Sequence, residues 1–139
     1  MSALYGQEHV ERYQATDGEE GHDWKKGTTT LLLTTVGRKS GKEYTTPLIY
    51  TLDDHGNPVV VASQGGTPDH PDWYLNLVAN PHVGVQIKGE RFHAHPRTAE
   101  GEERERLWKQ MAEAWPDYDE YQKKTDRVIP VVVLERAHH

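Results

Sequence analysis

Six segments rich in β-branched residues, each bounded by turn-forming residues, constrain the fold of this chain more than any other feature. Three of the turns are short: GRKSGK at 37–42, DDHGN at 53–57 and GE at 89–90. Turns of this length join antiparallel neighbours, so the first three segments and the next two are predicted to form hairpins. The predicted strands are Thr28–Val36, Tyr44–Leu52, Pro58–Ser63, Val83–Lys88, Arg91–Pro96 and Val128–Glu135.

Helical patterns occur between and after these strands. Pro71 opens a short helix that ends before Pro81, and Thr98 is expected to cap a longer helix running to Trp115. Pro116 then begins a further short helical segment. The helices are too few to cover both long edges of an open sheet, and exposed edges promote aggregation. The sequence therefore predicts a mainly β fold with peripheral helices, a small closed or split β-barrel of about six antiparallel strands.

The size of the chain predicts one folded domain. A length of 139 residues is close to the usual size of a single domain. Residues 1–27 are polar and weakly periodic, and we interpret them as a short helix followed by an irregular connection. Residues 28–136 are expected to form the barrel domain.

The composition argues against several classes of protein. The chain has no cysteine, which excludes disulfides and thiolate chemistry and is typical of a reducing compartment. The longest unbroken apolar run is too short for a secretory signal or a spanning helix. A net charge of −6 argues against a nucleic-acid partner. We therefore expect a cytoplasmic protein, monomeric or homodimeric, with peripheral contact at the inner face of the membrane as the alternative location.

Histidines suggest a metal site only weakly. His93 and His95 alternate by two and would share one face of a strand. A third ligand, such as Asp69 or His70, could join them only through the tertiary structure. The sequence therefore predicts no metal site.

The turn at 37–42 is a basic feature in an acidic chain. Arg38, Lys39 and Lys42 against Glu43 give residues 34–48 a charge of +2. Only three residues separate the two glycines, and a strand follows instead of a helix, so the turn is not a nucleotide-triphosphate loop. Two interpretations remain: an exposed hairpin turn, or an anion cradle built from main-chain N–H groups and the cations.

A second loop has the character of a ligand site. The sequence SQGG at 63–66 ends an apolar strand and precedes a helix that contains Trp73, Tyr74 and Asn76. Glycines allow a ligand to approach the backbone, and aromatic rings offer a stacking surface. Core packing is the competing role for Trp73. Together the two loops would suit a flat aromatic ligand with a phosphate tail.

Four stretches carry a family resemblance. LLLTTVGRKSGKEYTTPL, VVVASQGG, PDWYLNLVANPHVGVQIKG and PDYDEYQKKTDRVIPVVVLE occur in this order between residues 28 and 135. Together they resemble the deazaflavin-dependent nitroreductase family, of the flavin/deazaflavin oxidoreductase A type. The resemblance implies a split barrel like that of flavin reductases and pyridoxamine-phosphate oxidases, with coenzyme F420 as cofactor. It also implies hydride transfer from reduced F420 to a quinone, an enone or other activated alkene, or a nitroaromatic.

The resemblance also implies roles for individual residues. Ser63 and Tyr121 would orient or protonate the substrate and Tyr118 would line the pocket, with packing at the barrel rim as the competing role for the tyrosines. The basic loop would hold the cofactor's phosphate and glutamyl tail, and the other implied residues would flank or cover the ring. The implied cofactor-binding residues are Leu32, Leu33, Thr34, Arg38, Lys39, Ser40, Gly41, Lys42, Glu43, Val60, Val61, Ala62, Ser63, Gln64, Asp72, Trp73, Tyr74, Leu75 and Asn76.

The chain departs from the family pattern at two positions. Gln64 stands where members often carry Lys, and Tyr44 where they often carry Arg. Each change removes a tail contact worth about 1.5–3 kcal/mol, unless Lys42 compensates. Three alternatives stay open: an FMN-binding split-barrel reductase or oxidase, a non-enzymatic deazaflavin-binding or carrier protein, and an interaction domain whose basic loop is plain surface.

Overall fold

The described residues form a six-stranded antiparallel barrel with four helices outside it. The structure is a computed structural model that describes residues 6–24, 27–63, 66 and 69–137. The barrel closes in the strand order β1-β2-β3-β6-β5-β4, which confirms the predicted fold class. Its strands are β1 (Thr29–Val36), β2 (Glu43–Leu52), β3 (Pro58–Val61), β4 (Val83–Ile87), β5 (Glu90–Thr98) and β6 (Val131–Arg136). The helices are α1 (Gly6–Thr16), α2 (Asp72–Ala79), α3 (Gly101–Ala114) and α4 (Asp117–Lys123).

The predicted cap of the long helix was wrong. Thr98 is the last residue of β5 and pairs with Val132 on β6, so it cannot begin a helix. Its hydroxyl instead lies 3.0 Å from the Tyr74 hydroxyl. Glu100 is the N-cap of α3, without a side-chain capping hydrogen bond. The ladder to β6 prevails here over the local capping preference of threonine.

The barrel is split between β2 and β3. In the ladder formed by the described residues, β2 pairs with β3 only through Thr51 and Leu52, opposite Val59 and Pro58. The rest of β2, residues 43–50, pairs with β1 on its other edge. From Tyr50 toward Glu43, the edge of β2 that faces β3 is therefore unpaired. We call the gap along this edge the groove.

Three loops leave the barrel at one common end. Strands β1 and β3 run in the same direction, because each is antiparallel to β2. The loop 37–42 follows β1, and the chain from residue 62 follows β3. Val131, the first residue of β6, pairs with Val61, the last residue of β3. The segment before β6 therefore meets the other two loops at the mouth of the groove.

The core is divided between the inside and the outside of the barrel wall. One cluster includes Leu31, Tyr50, Val60 and residues of the other three strands, so it fills the interior, and Trp73 and Leu77 of α2 extend it. A second cluster packs α3 and α4 on the outer face. Alternation along each strand produces this division, because neighbouring side chains point to opposite faces. The outer cluster is Val59, Val61, Ala99, Leu107, Met111, Tyr118, Ile129, Val131 and Val133.

The N-terminal part of the described chain packs on the barrel. Tyr13 of α1 is buried against Leu32, and its hydroxyl donates to the Thr30 carbonyl at 3.1 Å. Farther on, His22 Nε2 lies 2.8 Å from the hydroxyl of Tyr50, which belongs to the interior cluster. These contacts join residues 6–24 to the barrel wall. None of the helices in the described ranges has the length and apolar character that spanning a bilayer requires.

Candidate functional site

The basic loop is held in a closed turn by its own hydrogen bonds. The Gly37 N–H donates to the Lys42 carbonyl at 2.7 Å, and the Gly41 N–H donates to the Gly37 carbonyl at 2.9 Å. Gly41 has φ +72°, a backbone conformation that favours glycine. Lys39 and Lys42 are both exposed. The turn therefore presents two cationic side chains to solvent on a fixed backbone.

The third cation of the loop is tied to α2. The Arg38 main-chain N–H and its Nη1 both donate to Asn76 Oδ1, at 3.2 and 2.8 Å. Its Nη2 reaches Asp72 Oδ1 at 3.4 Å. Asn76 is buried, and its Nδ2 donates to Thr35 Oγ1 at 3.4 Å. The loop and the first turns of α2 are thus one connected unit.

A cavity of about 440 Å³ lies between this loop and α2. It combines cationic groups, hydroxyl groups and two aromatic side chains. It borders the free edge of β2 through Tyr44 and Thr46, so it adjoins the groove of the split barrel. The structure brings six of the sequence-predicted site residues to this cavity. Its lining residues are Thr35, Gly37, Arg38, Lys39, Ser40, Tyr44, Thr46, Asp72, Trp73 and Asn76.

Other predicted cofactor contacts lie on different surfaces. Leu32, Thr34 and Glu43 line a separate groove of about 570 Å³ on the outer face of the barrel. Val61 faces the outer cluster under α3. The side chains of Leu33, Val60 and Ala62 are buried in the interior cluster. The resemblance assigned consecutive residues of a strand to one ligand. Consecutive side chains of a strand point to opposite faces of the barrel wall, however, so they cannot all face the same ligand.

The remaining predicted contacts surround the cavity without lining it. Gly41 and Lys42 complete the turn, and Tyr74 and Leu75 are half-buried on α2. The Tyr74 ring packs edge-on against Trp73, with centroids 6.3 Å apart. Gln64, together with Gly65, lies outside the described residues.

Ser63 and Tyr121 border the same stretch of chain. Ser63 is buried beyond the end of β3, and its carbonyl accepts from the Gly66 N–H at 2.9 Å. Gly66 has φ +81°, and a Cβ built on it would lie 2.6 Å from the Tyr121 carbonyl oxygen. Gly66 therefore lies directly against the main chain of α4. The Tyr121 hydroxyl lies 3.5 Å from Trp115 Nε1.

Tyr118 occupies a different environment from Tyr121. Its side chain is buried in the outer cluster with Leu107 and Met111, although its ring centroid lies 6.2 Å from that of Tyr121. This burial raises the pKa of the Tyr118 hydroxyl. The structure does not bring Tyr118 to the cavity.

Sequence reasoning missed Arg127, which joins three parts of the site. Its Nη1 lies 3.1 Å from the Ala62 carbonyl and 3.1 Å from His70 Nδ1, and its Nη2 donates to the Ser63 carbonyl at 2.6 Å. Burial lowers the pKa of the Arg127 guanidinium. No local sequence signal marks this residue, because its partners lie about sixty positions earlier.

The histidines of β5 stay on the barrel surface. His93 and His95 are both exposed, and the His95 ring lies 5.2 Å from that of His82. Within the described residues, no three His, Cys, Asp or Glu side chains are placed to hold a metal ion.

Comparison with known protein families assigns the chain to one of them. The family model of the F420H(2)-dependent quinone reductases matches residues 5–136 of the 139-residue chain. The chain belongs to the F420H(2)-dependent quinone reductase family. The motif resemblance, the expected reductase class and the expected cofactor, coenzyme F420, all agree with this membership.

Individual relatives match over most of their length. An F420H(2)-dependent quinone reductase of Mycobacterium tuberculosis strain H37Rv is 40% identical over 131 residues, which cover 92% of this chain and 87% of that protein. A second protein of that strain is 41% identical over 114 residues, 82% of this chain and 95% of its own length. The family relationship therefore includes the barrel and the helices that flank it.

Solved structures support the family fold. The structure of an F420-H2 dependent reductase, FDR-A, has 48% identity and a TM-score of 0.69, and covers 76% of this chain and 93% of its own. A domain-swapped dimer has 44% identity and a TM-score of 0.73, with 93% and 96% of the two chains covered. A pyridoxamine 5′-phosphate oxidase-type structure from Listeria innocua, at 15% identity and a TM-score of 0.54, shares the fold alone.

Proposed function

We propose that this quinone reductase family member transfers a hydride from F420H2 to a quinone, and that the cavity beside the basic loop holds the cofactor's phosphate-bearing tail. The observation that carries the proposal is the joint lining of one cavity by Arg38, Lys39 and Trp73. Such a cavity offers two cations to a phosphate, beside the mostly buried ring of Trp73. The names of the mycobacterial relative and of FDR-A support the same cofactor class.

The groups around the cavity are of the types that the tail of F420 requires. A guanidinium and a lysine ammonium are the usual protein partners of phosphate oxygens. Tyr44 and Thr46 of β2 line this cavity, so a ring attached to the tail would lie along the edge of β2 that does not pair with β3. Reduced F420, when bound, supplies the hydride as a two-electron donor.

The chain itself would bind, orient and supply a proton. Ser63 and Tyr121 are the proposed donors, because both border the turn at the mouth of the groove. The Trp115 indole N–H can only donate, so its approach to the Tyr121 oxygen leaves the phenol hydrogen available to an acceptor. Tyr118, buried behind Tyr121, would act as packing support for it.

Other acceptors and features belong to the same proposal. Enones and nitroaromatics take up hydride by related chemistry, so we propose to screen them after quinones. We further propose that residues 28–136 form the cofactor-binding domain, that residues 1–27 are a separate N-terminal segment, and that the protein is cytoplasmic and monomeric or homodimeric. The complete absence of cysteine supports the proposed compartment.

An anaerobic titration with F420 and, separately, FMN tests the cofactor assignment, with Trp fluorescence as the signal. We expect binding of F420 in preference to FMN, followed by oxidation of F420H2 when a quinone such as menadione is added. Preference for FMN would move the chain to the flavin-reductase alternative. Binding without turnover of any acceptor would favour a carrier.

A pair of double variants tests the location of the tail. Arg38→Ala with Lys39→Ala should weaken F420 binding at least about tenfold, because charge-assisted hydrogen bonds are lost. Arg106→Ala with Lys109→Ala, on the exposed face of α3, removes the same charge elsewhere and should change the affinity less than about twofold. Equal affinities of the two variants would contradict the proposed tail site.

A further inference from the structure

Arg127 holds the chain at the point where β3 ends. Consecutive carbonyls of a strand point in opposite directions, so one side chain cannot normally reach two of them. Here a single guanidinium reaches the carbonyls of Ala62 and Ser63, at 3.1 and 2.6 Å. Both carbonyls lie just beyond the strand, which ends at Val61 and not at the predicted Ser63.

The same guanidinium joins this turn to the start of α2. Its Nη1 lies 3.1 Å from His70 Nδ1, and the His70 ring packs 5.1 Å from that of Tyr74 on α2. Gly66 lies against the Tyr121 main chain on the other side of the turn. Residues of β3, α2 and α4 thus converge on the turn that carries Ser63, with Arg127 between them.

We propose that Arg127 is a positioning residue that fixes the Ser63 turn in the shape the cofactor requires, and that it does so only while His70 is neutral. The inference rests on the proposed function of this site. Because an arginine always donates, His70 Nδ1 must accept this hydrogen bond, and the ring proton must lie on Nε2. A protonated His70 would have no free lone pair for Arg127 and would place a second positive charge beside it.

Some of the groups around His70 lower its pKa and others raise it. Burial and the neighbouring Arg127 lower the pKa of His70, and Asp69 opposes them. Tyr74 packs on the ring, and Glu100 and Arg104 line the adjacent cavity of about 420 Å³. The lowered pKa of His70 means that the Arg127 contact is expected to be lost only when the pH falls below the ordinary histidine pKa.

The first experiment compares Arg127→Gln with a matched arginine. Arg104 also donates to a main-chain carbonyl, that of Ile129, at 2.7 Å, but it does not touch the Ser63 turn. Arg127→Gln should weaken F420 binding about tenfold, and Arg104→Gln less than about twofold. Arg127→Lys, which keeps the charge but loses the fork, serves as the folded variant if Arg127→Gln fails to fold and should give an intermediate affinity.

A readout without any cofactor separates positioning from binding. The Gly66 N–H donates to the Ser63 carbonyl, so its amide hydrogen exchange reports the turn directly. Exchange at Gly66 should accelerate at least about tenfold in the Arg127 variants and remain near the wild-type rate in Arg104→Gln. Equal exchange in all variants would overturn the inference.

The pH dependence tests the role of His70. We expect F420 affinity of the wild type to fall about tenfold more between pH 7 and pH 5 than that of His70→Asn, whose amide oxygen can accept at every pH. Ionisation of the cofactor affects both proteins equally. Parallel pH profiles would remove His70 from the inference.

The two proposals fail in different ways. If the wild type binds F420 and Arg127→Gln binds it equally well, the positioning role is wrong and the cofactor assignment stands. If the wild type does not bind F420, the proposed function fails, and Gly66 exchange alone decides whether Arg127 holds the turn.

Discussion

Arg38 and Asn76 are joined by two hydrogen bonds that end on one oxygen atom, Asn76 Oδ1. One comes from the Arg38 main-chain N–H at 3.2 Å and the other from its guanidinium at 2.8 Å. The amide is buried, and its nitrogen reaches Thr35 on β1. All three contacts are made by the Asn76 side chain. Helix α2 therefore fixes both the backbone and the guanidinium of Arg38 before an anion binds.

Asn76→Ala should therefore lower both stability and anion affinity. The loss of a buried acceptor shared by two donors is expected to reduce the free energy of unfolding by about 1–3 kcal/mol. Urea unfolding and F420 titration measure the two effects. Asn80→Ala, at the exposed end of the same helix, is the control and should change neither strongly. Unchanged F420 affinity in Asn76→Ala would show that Arg38 needs no support from α2.

Asp72→Asn should strengthen the binding of a phosphate-bearing ligand. Asp72 lines the cavity and pairs with Arg38 at 3.4 Å, but its side chain is 89% exposed. Such an exposed pair stabilises the fold by less than about 1 kcal/mol, while its carboxylate repels an incoming anion. F420 affinity should rise about threefold at low salt, and Asp54→Asn in the opposite loop should have no effect. Weaker binding by Asp72→Asn would identify the carboxylate as a ligand-binding group.

Tyr44→Arg should add the tail contact that the family resemblance implies at this position. The Tyr44 side chain is 48% exposed at the rim of the cavity, with its hydroxyl 3.1 Å from Ser40 Oγ. An arginine there adds a cation for the tail, so F420 affinity should rise about fivefold and depend more steeply on salt. Leu52→Arg introduces the same charge at a residue of similar exposure, at the other end of β2. Equal gains from both variants would indicate a general charge effect.

Gly66→Ala and Gly56→Ala separate two causes of destabilisation. Both glycines have a positive φ near +80°, but only at Gly66 would a Cβ meet another atom, 2.6 Å from the Tyr121 carbonyl oxygen. Gly56→Ala should cost about 1 kcal/mol from backbone conformation alone. Gly66→Ala should cost at least about 1 kcal/mol more, because the turn or α4 must move. Chemical denaturation measures the free energy of unfolding of both variants. Similar losses of stability would mean that α4 can shift away from Gly66 at little cost.

The ion pair between Glu103 and Arg97 should make stability depend weakly on pH. The hydrogen bond from Arg97 lowers the pKa of Glu103, so this stabilisation is present above the unfolded pKa and is lost as the pH falls through the folded one. Glu103→Gln should lower the free energy of unfolding by less than about 1 kcal/mol at pH 7, and by progressively less as the pH falls through the folded pKa of Glu103. Glu105→Gln on the exposed part of α3 is the control. A loss that does not diminish with falling pH would point to packing instead of charge.

Local sequence signals predicted the elements of this fold well. Short turns and β-branched runs located all six strands to within about three residues, because hairpin pairing depends on neighbouring segments. The same locality explains the basic turn, because the main-chain hydrogen bonds that close it join residues within 37–42. Thr98 was misplaced because its strand is extended by a ladder to residues more than thirty positions away.

The grouping of residues into a site was decided by the tertiary structure. Barrel closure places α2 over the basic loop, so Asn76 meets Arg38 across 38 positions of sequence. Alternation on the closed wall directs Leu32 and Thr34 away from the cavity that Arg38 lines. Arg127 has no sequence signature, since its partners are main-chain carbonyls that only the fold brings within reach. The sequence by itself determined the strands, the basic turn and the family, whereas long-range packing decided which side chains face one ligand.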